Sequence, residues 1–246
     1  MKKEINGLTI NYRIRSNKNR DNFVLLLHGW GGSLDSFKAT EDFLVANNYS
    51  TLNIDFPGFG KSDLPKQDFA LKDYKNLVEA ILQVENINSV SIIAHSFGGR
   101  VALMLASEKN IVNKLVLVDS AGIKPKFSLS KWCKIKIYKF KKFLNKHFKT
   151  KFDLSKYGSQ DYKAMPQQLK GVFNNVVNLD LTYCLEKIMC PTLLIWGDKD
   201  KSTPLYMAKK MKKKINDCEL IVFKNCGHFS YLEKFNDFCL IINKFL

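Results

Sequence analysis

Ala94-His-Ser-Phe-Gly-Gly99 decides the fold, because it joins two segments of opposite periodicity. Val90-Ser-Ile-Ile-Ala94 before it reads as a buried strand. Arg100-Val-Ala-Leu-Met-Leu-Ala-Ser-Glu108 after it carries apolar residues at helical spacing. A serine at the junction, with small Ala94 and Gly98 two positions away on either side, predicts a tight strand-to-helix turn, since bulk at either flank would clash. Ser96 is then either a nucleophile held up from the sheet edge or an ordinary turn residue, and the rest of the chain has to choose.

Outward from this turn the same alternation repeats. Phe23 to Leu27, Ser50 to Asp55, Lys114 to Asp119, Thr192 to Trp196 and Glu219 to Phe223 read as short buried strands. Helical patterns over about Ser36–Asn48, Tyr74–Glu85, Leu205–Ile215 and Tyr231–Phe245 separate them or close the chain. Near the start, Glu4 to Arg15 alternates around Asn6-Gly7, a two-residue hairpin turn. Short apolar strands between helices predict an α/β fold, a mostly parallel sheet covered by helices on both faces. From about Gly122 to Met189 the rhythm breaks: no strand is visible, and lysine and aromatic residues abound. We therefore expect a core over 1–121 and 189–246, with a helical, lysine-rich cap over 122–188.

Composition narrows the function classes. The chain has 246 residues, 46% of them hydrophobic, enough for a large core without disulfide or metal support. Its six cysteines form no CxxC pair and no metal-ligand spacing, which fits a reducing cytoplasm. The first residues, MKKEINGLTINYRIR, hold no signal-like apolar run, and no segment reaches the roughly 20 apolar residues of a membrane span. A cytoplasmic protein without a transmembrane segment is the expectation. The net charge is +16, yet eleven lysines and no acid lie between Lys124 and Lys151, leaving the remainder at 16 − 11 = +5. No recognition motif accompanies that charge, so no nucleic-acid partner is expected. Nothing in the sequence speaks to the oligomeric state.

In an open parallel sheet, function gathers at the carboxyl ends of the strands. Ser96 ends one strand, Asp198 and Asp200 follow another in Trp196-Gly-Asp-Lys-Asp200, and His228 follows the last in Asn225-Cys-Gly-His228. A serine hydroxyl needs an imidazole to take its proton, and the imidazole needs a carboxylate to fix its tautomer. The chain order Ser, Asp, His matches such a set.

These segments resemble the α/β-hydrolase superfamily, in particular its small capped members, the meta-cleavage C–C hydrolases and carboxylesterases. His28-Gly-Trp-Gly-Gly32 is similar to the HGxG oxyanion loop, Asp55-Phe-Pro-Gly-Phe-Gly-Lys-Ser-Asp63 to the DxPGxGxS loop, and Ala94–Gly99 to the nucleophile elbow. Ile195–Asp200 with Thr203-Pro204, and Cys226–Glu233, are similar to the acid and histidine loops. Five motifs in order span almost the whole chain. The resemblance implies an α/β-hydrolase fold, Ser96 as nucleophile, His228 as base, and Asp200 rather than Asp198 as acid. It also implies an oxyanion hole from the backbone N–H groups of Trp30 and Phe97. Alanine replaces the first glycine of the elbow motif at 94, and serine at 96 sets the chain apart from the aspartate-dependent dehalogenases and epoxide hydrolases of this fold.

Other polar residues receive structural roles: His28 in the oxyanion loop, His95 in packing, Asp55 and Asp63 in loop ordering, and His147 in solvent. Residues 131–151, KWCKIKIYKFKKFLNKHFKTK, read as a basic amphipathic helix whose apolar side includes Trp132, Ile135, Phe140, Leu144 and Phe148. The expectation is that its aromatics pack over the active site, the alternative that it makes peripheral contact with an anionic membrane. The expected activity is serine hydrolysis of a small-molecule acyl compound, most simply a carboxylic ester, with Trp30, Phe97 and Phe229 lining an apolar pocket. No cofactor and no metal are called for. The alternatives are a C–C hydrolase, a thioesterase or a ligand-sensing receptor of the same fold. The C–C reading is weakened by Phe229, where those enzymes carry tryptophan, and by the absence of arginine from the cap.

Overall fold

The structure is a computed structural model that describes residues 1–16, 22–126, 129–148, 150–153 and 165–246, without the side chains of residues 130–132 and 134. Eight strands form one sheet: β1 (Lys2–Ile5), β2 (Leu8–Arg15), β3 (Phe23–Leu27), β4 (Ser50–Ile54), β5 (Val90–His95), β6 (Val112–Val118), β7 (Thr192–Gly197) and β8 (Cys218–Phe223). Their order is β1-β2-β4-β3-β5-β6-β7-β8. The last six in space run parallel, while β1 and β2 are antiparallel additions at one edge. The Asn6-Gly7 turn between them holds both residues at positive φ, +51° and +75°, which matches the twist of a two-residue hairpin.

The apolar runs have the physical meaning their sequence implies. All five residues of β3 are buried, and successive side chains enter opposite cores. Leu25 and Leu27 join the larger core, whereas Val24 and Leu26 join the smaller one. Helices α1 (Lys38–Ala46) and α9 (Phe235–Phe245) cover the smaller core with Leu44, Phe238 and Ile242. Helices α2 (Leu71–Val84), α3 (Phe97–Glu108) and α7 (Tyr206–Lys214) cover the other with Tyr74, Val101, Leu105 and Met211. The remaining helix of the core, α8 (Ser230–Glu233), is a single turn.

From β3 the chain moves outward to β4, then returns to place β5 on the other side of β3. This reversal opens a crevice at the carboxyl ends of the strands. Between β6 and β7 lie helices α4 (Leu129–His147), α5 (Leu169–Val177) and α6 (Thr182–Leu185), with no strand among the described residues. The amide of Leu181 donates to the carbonyl of Gly122 at 2.8 Å, so this excursion leaves and re-enters the core at one place. Helix α5 buries Leu169, Val172 and Val176 in the larger core.

The insertion also holds the main departure from expectation. Most described apolar residues of α4 face solvent rather than packing over the strand ends: Leu129, Ile135, Ile137, Phe140 and Phe143 are exposed, as is Phe148 beyond its end, while Tyr138 and Leu144 are half-buried. The side chain of Trp132 lies outside the described residues, as do Lys149 and residues 154–164. Apolar spacing fixes which residues share a face, but not whether a neighbour arrives to cover it. Among the described residues, no helix is long and apolar enough to cross a membrane.

Candidate active site

Ser96 sits between β5 and α3 with φ +48° and ψ −110°, a region that non-glycine residues rarely occupy. Such a conformation costs about 1–3 kcal/mol and persists only where neighbours enforce it. Here the Ser96 carbonyl accepts from the amides of Gly99 at 3.1 Å and Ala121 at 3.0 Å, and its own amide donates to Val118 at 3.2 Å. Gly98 allows the turn to seat, because a Cβ there would lie 2.1 Å from the Leu27 carbonyl oxygen.

The turn points its hydroxyl at a histidine from the opposite side of the crevice. His228 Nε2 lies 3.0 Å from Ser96 Oγ, and His228 Nδ1 lies 2.8 Å from Asp200 Oδ2. The side chains expected to act together are thus joined in one relay, although they are separated by 28 and 132 residues along the chain. Asp200 is buried, while Asp198 is exposed. Asp200 Oδ1 accepts from the amides of Ser202 at 2.7 Å and Thr203 at 3.0 Å, and Oδ2 accepts from the Thr203 hydroxyl at 2.6 Å. Burial raises the Asp200 pKa, but hydrogen bonds from His228 and Thr203 outweigh it and hold the carboxyl below its ordinary value. An acceptor kept ionised against His228 Nδ1–H fixes which imidazole nitrogen faces Ser96.

The acid and histidine loops are held together from beneath by Asp119, which directly follows β6. Its Oδ1 accepts from the Gly197 amide at 2.8 Å, and its Oδ2 accepts from the Ser230 amide at 3.0 Å and hydroxyl at 2.6 Å. One buried carboxylate thus ties the loop that carries Asp200 to the one that carries His228. Burial pushes its pKa up to about 6 against the pull of those donors. Gly197 is needed for the same approach, since a Cβ there would meet the Gly227 carbonyl oxygen at 2.2 Å. Asp119 follows its strand as Ser96 follows its own, and that position was the available signal.

His95 does more than pack. Its Nε2 donates to the His228 carbonyl at 2.8 Å, and its ring lies 4.9 Å from the His228 ring. Burial, then the neighbouring His228, lowers its pKa to about 3, so it stays neutral. His28 takes the structural place expected: Nδ1 donates to the Gly29 carbonyl, Nε2 accepts from the Phe56 amide, and burial lowers its pKa to about 4. Asp55 orders its loops by accepting from the Leu34 and Lys61 amides, and Asp63 accepts from the Thr9 amide. His147 is exposed.

Above Ser96 opens a cavity of about 520 Å³ lined by Trp30, Phe97, Phe229, Phe173, Val176 and Met207. Trp30 and Phe97 meet edge to face with ring centroids 5.4 Å apart, which brings the loop after β3 against the start of α3. Phe173 and Val176 come from α5, and no described residue of α4 lines the cavity. Arg100, on α3, also lines it, nearly buried. Its Nη1 donates to the Leu179 carbonyl at 2.8 Å and its Nη2 to the Val177 carbonyl at 2.7 Å, so a cation caps the C-terminal end of α5. Burial lowers its pKa to about 10, which leaves it charged at neutral pH. An arginine at the first turn of an otherwise apolar helix was a visible signal, but its partner lies 79 residues away. Among the described residues, no cluster of His, Cys, Asp and Glu is arranged to hold a metal.

A model of the alpha/beta hydrolase family matches residues 24–238. The AB hydrolase superfamily protein YisY of Bacillus subtilis is 26% identical over 235 residues, covering 86% of either chain. A 2-hydroxy-6-oxononadienedioate/2-hydroxy-6-oxononatrienedioate hydrolase of a Pseudomonas species is 24% identical over 266 residues, covering 99% of this chain and 93% of its own. Among solved structures, the esterase EaEST from Exiguobacterium antarcticum superposes with a TM-score of 0.76 at 22% identity, covering 97% of this chain and 96% of its own. The chain belongs to the alpha/beta hydrolase family.

Proposed function

From that membership, we propose that the protein is a serine hydrolase acting on a carboxylic ester with an apolar acyl or aryl group. The observation that carries this reading is the relay from Asp200 through His228 to Ser96, with contacts of 2.8 and 3.0 Å, opening onto an aromatic cavity. His228 Nε2 takes the proton of Ser96 Oγ as that oxygen attacks the ester carbonyl. Asp200 stabilises the imidazolium that forms and is not itself protonated. The oxyanion is met by the amides of Trp30 and Phe97, and one such donor is worth about 3 kcal/mol of barrier in a mutated protease. Collapse breaks the C–O bond, and the His228 proton leaves with the alcohol. A water then loses a proton to His228 and attacks the acyl-enzyme carbon; the bond to Ser96 Oγ breaks, His228 returns the proton to that oxygen, and the acid is released. These steps use no cofactor and no metal.

Helix α5 acts as the cap of this site and supplies the wall that meets the acyl group. The similarity to a structurally known esterase supports the ester reading, and six unpaired cysteines support a cytoplasmic setting. Hydrolysis of p-nitrophenyl esters from acetate to palmitate by wild type and Ser96→Ala tests the proposal. Turnover by the wild type alone is the expected result, and turnover surviving in Ser96→Ala would end it.

A second reading, C–C bond hydrolysis of a vinylogous 1,5-diketone acid, has one observation in its favour besides the Pseudomonas relative. Arg100 brings a cation to the cavity wall from the core, although the cap sequence contains no arginine. Turnover of such an acid with no turnover of any ester would select it.

A further inference from the structure

Helix α4 turns an apolar side to water. Leu129, Cys133, Ile137 and Phe140 recur at intervals of four, four and three residues, so they share one face of the helix. All four are exposed, Leu129 by 65% and Phe140 by 61%. Phe143 borders this stripe and Phe148 continues past its end, both exposed, while on the same face Lys136 interrupts the stripe and Leu144 is half-buried. The helix has 19 residues and is therefore about 28 Å long. Lys139 and Lys146 flank the stripe on one side, and Lys141 lies on the other, its ammonium over the Phe152 ring. The whole segment from Lys124 to Lys151 carries eleven lysines and no acid.

We propose that α4 docks the protein onto an anionic lipid bilayer. The helix would lie in the plane of the interface, with Leu129, Ile137, Phe140 and Phe143 among the upper acyl chains and the lysine ammoniums at lipid phosphates. Charge complementarity selects this occupant. A second copy of the chain would cover the stripe but bring together two lysine-rich segments that carry no acid. A nucleic acid would meet the lysines but leave leucine and isoleucine in water, because neither has a ring on which a base can stack. An anionic bilayer satisfies the apolar stripe and the cations at once. No described residue of α4 lines the cavity. The inference stands apart from the proposed activity.

Co-sedimentation with vesicles tests it. Wild type is expected to bind phosphatidylcholine–phosphatidylglycerol vesicles at least about tenfold more tightly than phosphatidylcholine alone, since each lysine near an anionic surface contributes about fivefold. Added salt should weaken that binding by shortening the Debye length. The double variant Ile137→Ser/Phe140→Ser should lose about tenfold or more while hydrolysing a soluble ester at the wild-type rate. Ser96→Ala should bind vesicles as the wild type does, so loss of hydrolysis and loss of docking are read separately. Equal binding to both vesicle types, or none to either, overturns the proposal. So does anionic-vesicle binding that survives the double variant, which would mean charge attraction without insertion. Self-association of the wild type without lipid, abolished by the same two substitutions, would assign the stripe to a second copy instead.

Discussion

Helices α4 and α5 belong to the same excursion from the sheet, and both carry apolar residues at three- and four-residue spacing, yet they end in opposite environments. Leu169, Val172 and Val176 of α5 are buried in the larger core, and its last carbonyls receive the Arg100 guanidinium. The stripe of α4 faces water. The difference teaches that an amphipathic pattern gives a helix a direction but not a destination. What completes α5 is a set of matched partners waiting at the strand ends: an apolar wall, a cavity and a buried cation. Most apolar residues of α4 meet solvent, with Tyr138 and Leu144 half-buried and Asn145 bonded to Phe152 and Thr150.

The comparison can be broken by substitutions graded from the site outward. The largest effect belongs to Ser96→Ala, expected to lower kcat by about 10⁴-fold or more with the fold retained, measured on a short-chain ester. If the neighbourhood of α5 were not the reacting centre, that loss would not appear.

Acid comes next, because the strand ends hold two buried neutral histidines. His28 and His95 have their pKa lowered to about 4 and about 3, so each takes up a proton on unfolding. Their contribution to stability is whole above the ordinary histidine value of about 6.5 and drains as pH falls through that window. Asp119 works in the opposite sense: with its carboxyl raised to about 6, it favours the native state as pH falls from 6 towards 4. The histidines span the wider range, so the net expectation is a loss of a few kcal/mol between pH 6.5 and 4. Urea denaturation at a series of pH values measures it, and a flat profile would refute the burial argument.

The sharpest test of the comparison is one substitution made twice. Leu169→Ala in α5 should cost about 2–5 kcal/mol, because it empties a packed site. Leu129→Ala at the start of α4 should stay within about 0.5 kcal/mol, because its side chain is 65% exposed. Similar losses for the two would mean that α4 is as firmly packed as α5. Both are read from denaturation midpoints without lipid.

The sheet and the Ser96 relay were legible for a common physical reason. The central strands β3 and β7 are short apolar runs buried on both faces, Ser96 stands directly after β5, and Asp200 and His228 lie in the loops that follow β7 and β8. Asp200 was separable from Asp198 only through the family pattern; the structure adds the physical distinction, since one is buried and hydrogen-bonded and the other exposed. Asp119 and Arg100 were missed because their roles depend on partners 111 and 79 residues away, which no local pattern encodes. His95 was read as packing because the sequence cannot show that its ring meets the His228 carbonyl. The orientation of α4 escaped for the reason its contrast with α5 makes plain.

The hydrogen bond between Leu181 and Gly122 gives the molecule the economy of a modular part. Because the excursion starts and finishes at a single point, its length and content can change without moving β6 relative to β7, whose register is set by Leu115 to Val118 against Thr192 to Ile195. A different stretch of chain spliced between these two residues, provided it restored the core contacts of Leu169, Val172 and Val176, would inherit the same strand ends and the same buried relay. Selectivity and surface attachment could then be exchanged together as one cassette, while the machinery underneath stayed as it is.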